Sequence, residues 1–216
     1  LLVCDMDSTI IQQECIDELA DYIGIKDKVA TITEQCMNGE LDFEEGLKAR
    51  VALLKGLPES TLEQAFKDKI TYTPGAKALV QTMAKNGAYC MLISGGFHFF
   101  TSKVTEELGF HFHDSNELEI HDQTLTGNVI MPIRDKHTKR NHLLHEKQQR
   151  NLDTSAIMAV GDGANDLLML HEAGLGVAFK AKPAVQAECN VRINHTDLHS
   201  LLSVSYTHLT LPTSPK

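Results

Sequence analysis

Leu1-Leu2-Val3-Cys4-Asp5-Met6-Asp7-Ser8-Thr9 decides the reading of this chain: an apolar run ends in two aspartates one residue apart. Apolar residues in unbroken sequence suit a strand buried on both faces. In a strand, residues i and i+2 point the same way, so Asp5 and Asp7 are expected to face one site. Two carboxylates held close repel each other unless a metal, a proton or a cation balances them. The pair therefore points to chemistry rather than to packing.

Working outward, two further long apolar runs read as strands, Ala88 to Ser94 and Ala156 to Asp162, and shorter ones follow at Leu175 to Phe179 and Val191 to Asn194. Helical patterns separate them. Pro74, then Ala76, Leu79, Val80 and Met83 at helical spacing, then Gly87, predicts a helix with its start and stop. Strands alternating with helices imply a doubly wound, mostly parallel α/β sheet covered on both faces. Ligands in such sheets sit at the carboxyl ends of the strands. Asp5, Ser94 and Asp162 each end one of the long runs, so they are expected to converge. About seventy residues separate the first two strands, far more than one crossover helix needs. Ile16, Leu19, Ala20 and Ile23 form one helical face there, and Leu47, Val51 and Leu54 another. The expected organisation is a catalytic core of 1–12 and 73–204 with a helical cap inserted at 13–72. Residues Glu117 to Val129 alternate around a polar turn and predict a small β-hairpin flap.

Composition narrows the class. The 216 residues carry a net charge of −9, which argues against nucleic acid as a partner. No run is long and apolar enough to span a bilayer, so no membrane partner is expected. Five cysteines without CxxC spacing suit free thiols in a reducing cytoplasm. Among eleven histidines no HExxH motif occurs, and His111 with His113 is read as a structural pair rather than a metal site. The first residue already lies in a strand, which suggests missing upstream sequence. Ser205 to Lys216 has no structural period and is read as a non-native or disordered tail.

Together, the DMDST motif, Ser94-Gly95-Gly96 and GDGANDLLML at Gly161 to Leu170 resemble the haloacid-dehalogenase superfamily of phosphatases, within it the phosphoserine phosphatase family. The resemblance runs from Leu1 to about Ser203 and implies a Rossmann-like sheet. It also implies Mg²⁺-dependent hydrolysis of a small phosphorylated amino acid, O-phospho-L-serine. Phosphoryl transfer needs an in-line nucleophile, neutralised phosphate oxygens and a proton for the leaving group. Asp5 is the expected nucleophile, forming an aspartyl-phosphate, and Asp7 the general acid and then base. The resemblance implies the Asp5 carboxylate, the Asp7 carbonyl and Asp162 as magnesium ligands, with Asp166 orienting them.

Ser94 and the amides that follow it, from Gly95 on, are expected to hold the phosphate, although Ser94 would also suit a helix cap. Asn165 has the same double reading. Counting from Gly127-Asn128-Val129-Ile130 along the family pattern selects Lys139 as the phosphate lysine, with Lys136 the runner-up. Met131-Pro132 stands where the family commonly has Gly-Asp. Glu14 and Arg50 are matched to the ammonium and carboxylate of the substrate, and Met37 and Phe43 to an apolar wall. Without the resemblance, Glu14 reads as a helix-start acid, Arg50 as a snorkelling arginine, and the other two as core. Two alternatives stay open: another small phosphomonoester, such as phosphothreonine or phosphohomoserine, or a phospho-accepting receiver domain.

Overall fold

The computed structural model describes residues 1–37 and 40–204. The side chain of Met37 and the tail 205–216 lie outside the described residues, so the expectations for them have no structural counterpart. Strand β1 (Leu2–Cys4) is followed by an irregular turn and then four helices: α1 (Cys15–Tyr22), α2 (Lys26–Met37), α3 (Phe43–Ala52) and α4 (Ser60–Lys69). Next come α5 (Ala76–Lys85), β2 (Cys90–Phe97), α6 (His98–Leu108), β3 (Phe112–His121) and β4 (Thr124–Ile130). The chain continues through α7 (Lys136–Gln149), β5 (Met158–Gly161), α8 (Leu167–Glu172), β6 (Leu175–Phe179), α9 (Pro183–Glu188) and β7 (Val191–Ile193).

The strands form one sheet in the order β4-β3-β2-β1-β5-β6-β7. All pairings are parallel except β3 with β4. Central β1 lies between β2 and β5, so the chain reverses its direction of winding there and leaves a crevice at the carboxyl ends. Alternation along the apolar runs divides the core in two. Leu2, Cys4, Leu92 and Val160 pack on one face of the sheet, and Val3, Met91, Ile93 and Ala159 on the other. Burial on both faces is why these strands read as unbroken apolar runs.

Local signals set the helix ends. Asp42 caps α3 in a capping box with Glu45, and Asp135 caps α7 with Thr138. Helix α5 starts after Gly75, whose φ is +86°, and stops at Asn86 before Gly87. The two chain crossings that flank α1–α4 are laced together: Ile11 bridges Tyr72, Gln12 donates to the Thr71 carbonyl at 3.0 Å, and Thr73 to that of Ile10 at 2.9 Å. At the far end, the Gly56 and Leu57 backbone exchanges bonds with Leu125 of β4, at 2.9 and 2.8 Å. Among the described residues, no helix is long and apolar enough to cross a membrane.

One expectation changes. β1 ends at Cys4, so Asp5 and Asp7 are not paired by strand alternation. Asp7 is extended (φ −64°, ψ 138°) inside a turn that Ser8 completes at φ +53°. The β3–β4 hairpin begins to pair at Glu117, where its alternation indicated, although β3 itself starts at Phe112 because it pairs first with β2. His111 accepts from the Cys90 amide at 3.0 Å and His113 bonds the Thr101 hydroxyl at 3.0 Å. All five cysteines are free, four of them buried.

Candidate active site

At the carboxyl ends of β1, β2 and β5 lies a cavity of about 440 Å³. Asp5, Asp7, Ser94, Gly95, Asp162 and Asn165 line its floor, while Glu14, Phe43 and Arg50 come from the helices between β1 and β2. Lys139 lies behind the floor on α7, 1% exposed, and Lys136 stays on the exposed first turn of the same helix. Helix phase separates the two lysines. Lys139 and Leu143, four residues apart, share the buried face.

Lys139 Nζ donates to Asp5 Oδ1 and to Asp166 Oδ1, each at 2.6 Å. Burial opposes the charge on Lys139, but Asp166 and Asp5 outweigh it and hold the ammonium pKa above its ordinary value. Asp166 Oδ2 accepts from the Asp162 and Gly163 amides at 3.2 and 3.0 Å. Gly161 makes that fold-back feasible, since a Cβ there would lie 2.4 Å from Asp166 Cγ. Carboxylate oxygens of Asp5, Asp162 and Asp166 lie within 4.8 Å of one another. Burial and the charge of Asp166 push Asp5 well above the usual carboxylate range, and push Asp162 up to about 6. Fully ionised, the three carboxylates would exceed the one ammonium by two negative charges. An all-oxygen donor set with that excess fits a hard divalent cation.

Asp7 is held differently. Its Oδ1 accepts from the Cys15 amide at 2.8 Å and its Oδ2 from the Ser94 hydroxyl at 3.0 Å. Ser94 Oγ in turn accepts from the Gly96 amide at 2.8 Å, and a Cβ on Gly96 would lie 2.6 Å from Asp7 Oδ2. Ser94 does not cap α6, whose N-cap is Phe97. Nor does Asn165 cap the turn it belongs to, which begins at Gly163.

Across the cavity, Ser8 donates to Glu14 Oε1 at 2.6 Å. Glu14 opens to solvent through the cavity mouth, yet burial against its walls and the nearby charge of Asp7 raise its carboxyl to about 7. Arg50 Nε donates to the Gly46 carbonyl one turn back, at 3.2 Å. The Phe43 ring rests against Gly95, 3.4 Å from where a side chain there would begin. Sequence reasoning missed Thr9, whose hydroxyl reaches Asp162 Oδ1 at 3.4 Å, and Asp17, Thr33 and Lys182 in the lining. Lys182 had a signal: it follows the end of β6, at the same edge of the sheet as Asp5 and Asp162.

The haloacid dehalogenase-like hydrolase family model matches residues 2–171. The chain belongs to that family. A probable phosphoserine phosphatase of Schizosaccharomyces pombe is 47% identical over 204 residues, 94% of this chain and 68% of the relative. The phosphoserine phosphatase of Polaromonas sp. is 44% identical over 209 residues, 94% of this chain and 89% of the relative. A solved phospho-aspartyl intermediate analogue of phosphoserine phosphatase superposes with a TM-score of 0.86 at 36% identity, covering 94% of this chain and 97% of that one. A substrate-bound phosphoserine phosphatase complex gives 0.86 at 35%, covering 94% and 96%. Membership of this hydrolase family removes the receiver-domain alternative.

Proposed function

We propose that this haloacid dehalogenase-like hydrolase converts O-phospho-L-serine to L-serine and phosphate, the last step of serine biosynthesis, with Mg²⁺ as its cofactor. One observation carries the substrate: Glu14 and Arg50, of opposite charge, share one cavity with the Asp5 end of β1. An amino acid phosphate presents an ammonium, a carboxylate and a phosphoryl group. Glu14 takes the ammonium, the Arg50 fork takes the carboxylate, and the phosphoryl group is left facing Asp5. Phe43 forms the apolar wall, and the segment 13–72 is the cap that carries these contacts.

Asp5 attacks phosphorus through the oxygen that Lys139 does not hold. The P–O bond to serine breaks as Asp7 gives the leaving oxygen a proton, and an aspartyl-phosphate forms. Asp7 then takes a proton from water, whose oxygen attacks phosphorus and returns Asp5 as a carboxylate. Ser94, the amides from Gly95 onward, Asn165 and Lys139 bind the phosphate oxygens and hold them in line. Asp5, the Asp7 carbonyl and Asp162 would hold the magnesium ion, with Asp166 orienting them. The bound ion supplies charge neutralisation for the phosphoryl oxygens. Free thiols suit a reducing compartment, which we read as the cytoplasm.

The test is phosphate release from phosphoserine, phosphothreonine, phosphohomoserine and phosphoethanolamine, each with Mg²⁺ and with chelator. Phosphoserine should react fastest and only with the metal. Phosphoethanolamine lacks the carboxylate, so equal turnover of it would refute the assignment of Arg50.

A further inference from the structure

Asn116, at the middle of β3, is fully buried, and its side chain makes three hydrogen bonds. Its Oδ1 accepts from the Arg134 amide at 2.7 Å, while its Nδ2 donates to the carbonyls of Arg134 at 3.2 Å and Gly95 at 2.8 Å. The partners fix the orientation of this amide. A backbone N–H can only donate and the two carbonyls can only accept, so flipping the side chain would lose all three bonds.

What the three bonds connect is significant. Gly95 belongs to the irregular end of β2, where the Ser94 hydroxyl donates to Asp7 and accepts from the Gly96 amide, and it lines the cavity floor. Arg134 immediately precedes Asp135, the N-cap of α7, and α7 carries Lys139 one turn further on. Asp114, two residues earlier on the same side of β3, accepts from Arg134 Nε at 3.1 Å and bonds His142 Nε2 at 2.8 Å, so it grips the same helix lower down. Gly95 and Lys139 are contributed by segments that are distant in sequence. Asn116 joins the first to the root of the second through a single rigid side chain.

We propose that Asn116 is a positioning residue for phosphoryl transfer, setting the Gly95 peptide and the start of α7 at the spacing that the phosphate requires. This rests on the reading of the Ser94–Gly96 segment and Lys139 as phosphate ligands. Removing the amide leaves the half-buried Arg134 N–H and Gly95 carbonyl without this partner, and both segments can then relax independently. The amino acid end of the cavity, built by Glu14 and Arg50, does not share these bonds.

The experiment measures inhibition of p-nitrophenyl phosphate turnover by inorganic phosphate and, separately, by L-serine, in Mg²⁺-loaded wild type, Asn116→Ala and Asn116→Asp. The inhibition constant for phosphate should rise at least about tenfold in both variants, while that for L-serine stays within a factor of two. Asn116→Asp keeps the acceptor for the Arg134 amide but sets a carboxylate against two carbonyls, so it carries the comparison if the alanine variant does not fold. Equal weakening for both inhibitors would mean general loosening and overturn the inference, as would unchanged phosphate affinity. Failure of the substrate reading shows separately, as wild-type protein inhibited by phosphate but not by L-serine. In that case the phosphate arm still decides the role of Asn116, a tenfold loss supporting it and no loss overturning it.

Discussion

Lys139→Met keeps most of the side-chain volume and removes the one charge that holds Asp5 and Asp166 together. Each contact is 2.6 Å long, and a unit pair at that distance attracts by about 6 kcal/mol at an effective dielectric constant of 20. Burying the ammonium and the repulsion between the two carboxylates offset much of that gross figure. Removing one partner of a buried pair typically costs about 3–5 kcal/mol, because the remaining charge is stranded, and we expect that loss here at pH 8 without metal. The sign with pH follows from Asp5, whose folded pKa is already raised by burial and by Asp166. Taking Lys139 away raises it further. The folded state then binds more protons than the unfolded chain above the ordinary carboxylate pKa of about 4, so stability falls as pH rises through that window. The gap to wild type should therefore narrow between pH 8 and pH 5. Urea unfolding in chelator at both pH values measures it, and Lys139→Met/Asp166→Asn should regain about 2 kcal/mol by removing one stranded charge. A loss below about 1 kcal/mol at pH 8, or one equal at both pH values, would refute the reasoning.

Glu14 must be ionised to meet an ammonium, and its carboxyl is raised to about 7 in the substrate-free site. The KM for phosphoserine should therefore fall between pH 5.5 and 7.5 relative to that for p-nitrophenyl phosphate; a Glu14→Gln variant with the same relative fall would exclude the role. The raised pKa also means that the substrate-free protein loses stability from this group as pH rises from about 4.5 to 7. Arg50→Ala should lower kcat/KM for phosphoserine about tenfold to a hundredfold and leave aryl phosphate hydrolysis within threefold; parallel losses would mark a structural arginine. Gly161→Ala sets a Cβ 2.4 Å from Asp166 Cγ, so it should cost about 1–3 kcal/mol by urea unfolding and weaken Mg²⁺ binding by calorimetry. Unchanged metal affinity would show that Asp166 does not depend on that close approach.

How much of this was legible depends on which residues carried a periodic signal. Strands β1, β2, β5 and β6 are buried on both faces, so Leu2–Cys4 or Leu175–Phe179 stand out as runs. The first half of β3 does not, because His113, Asp114, Ser115 and Asn116 replace apolar packing with bonds to α6, α7 and Gly95 of β2. Those residues look like a polar loop in sequence. They form a half-buried strand whose contacts are hydrogen bonds made across long separations. The convergence of Asp5, Ser94 and Asp162 was legible from strand ends alone. The run of neighbouring cations does not by itself separate Lys139 from Lys136; counting along the family pattern selects Lys139, and the phase of α7 puts that residue on the buried face.

The aspartate pair shows why motif spacing and geometry are separate facts. Asp5 bonds downward to Lys139, within the same buried charge cluster as Asp166 and next to β1, where the sheet is most enclosed. Asp7 bonds sideways to the Ser94 hydroxyl and to the amide of Cys15, the first residue of α1. One carboxylate is thus fixed by the core, while the other takes half its support from the start of the helical insertion. A displacement of α1 would lengthen the Cys15 bond and leave the Asp5–Lys139 contact untouched. The residue that would move protons is therefore the one mechanically linked to the substrate-bearing helices, and the residue that would attack phosphorus is insulated from them. A spacing of two residues delivers both carboxylates to one cavity, but the turn at Ser8 divides their supports.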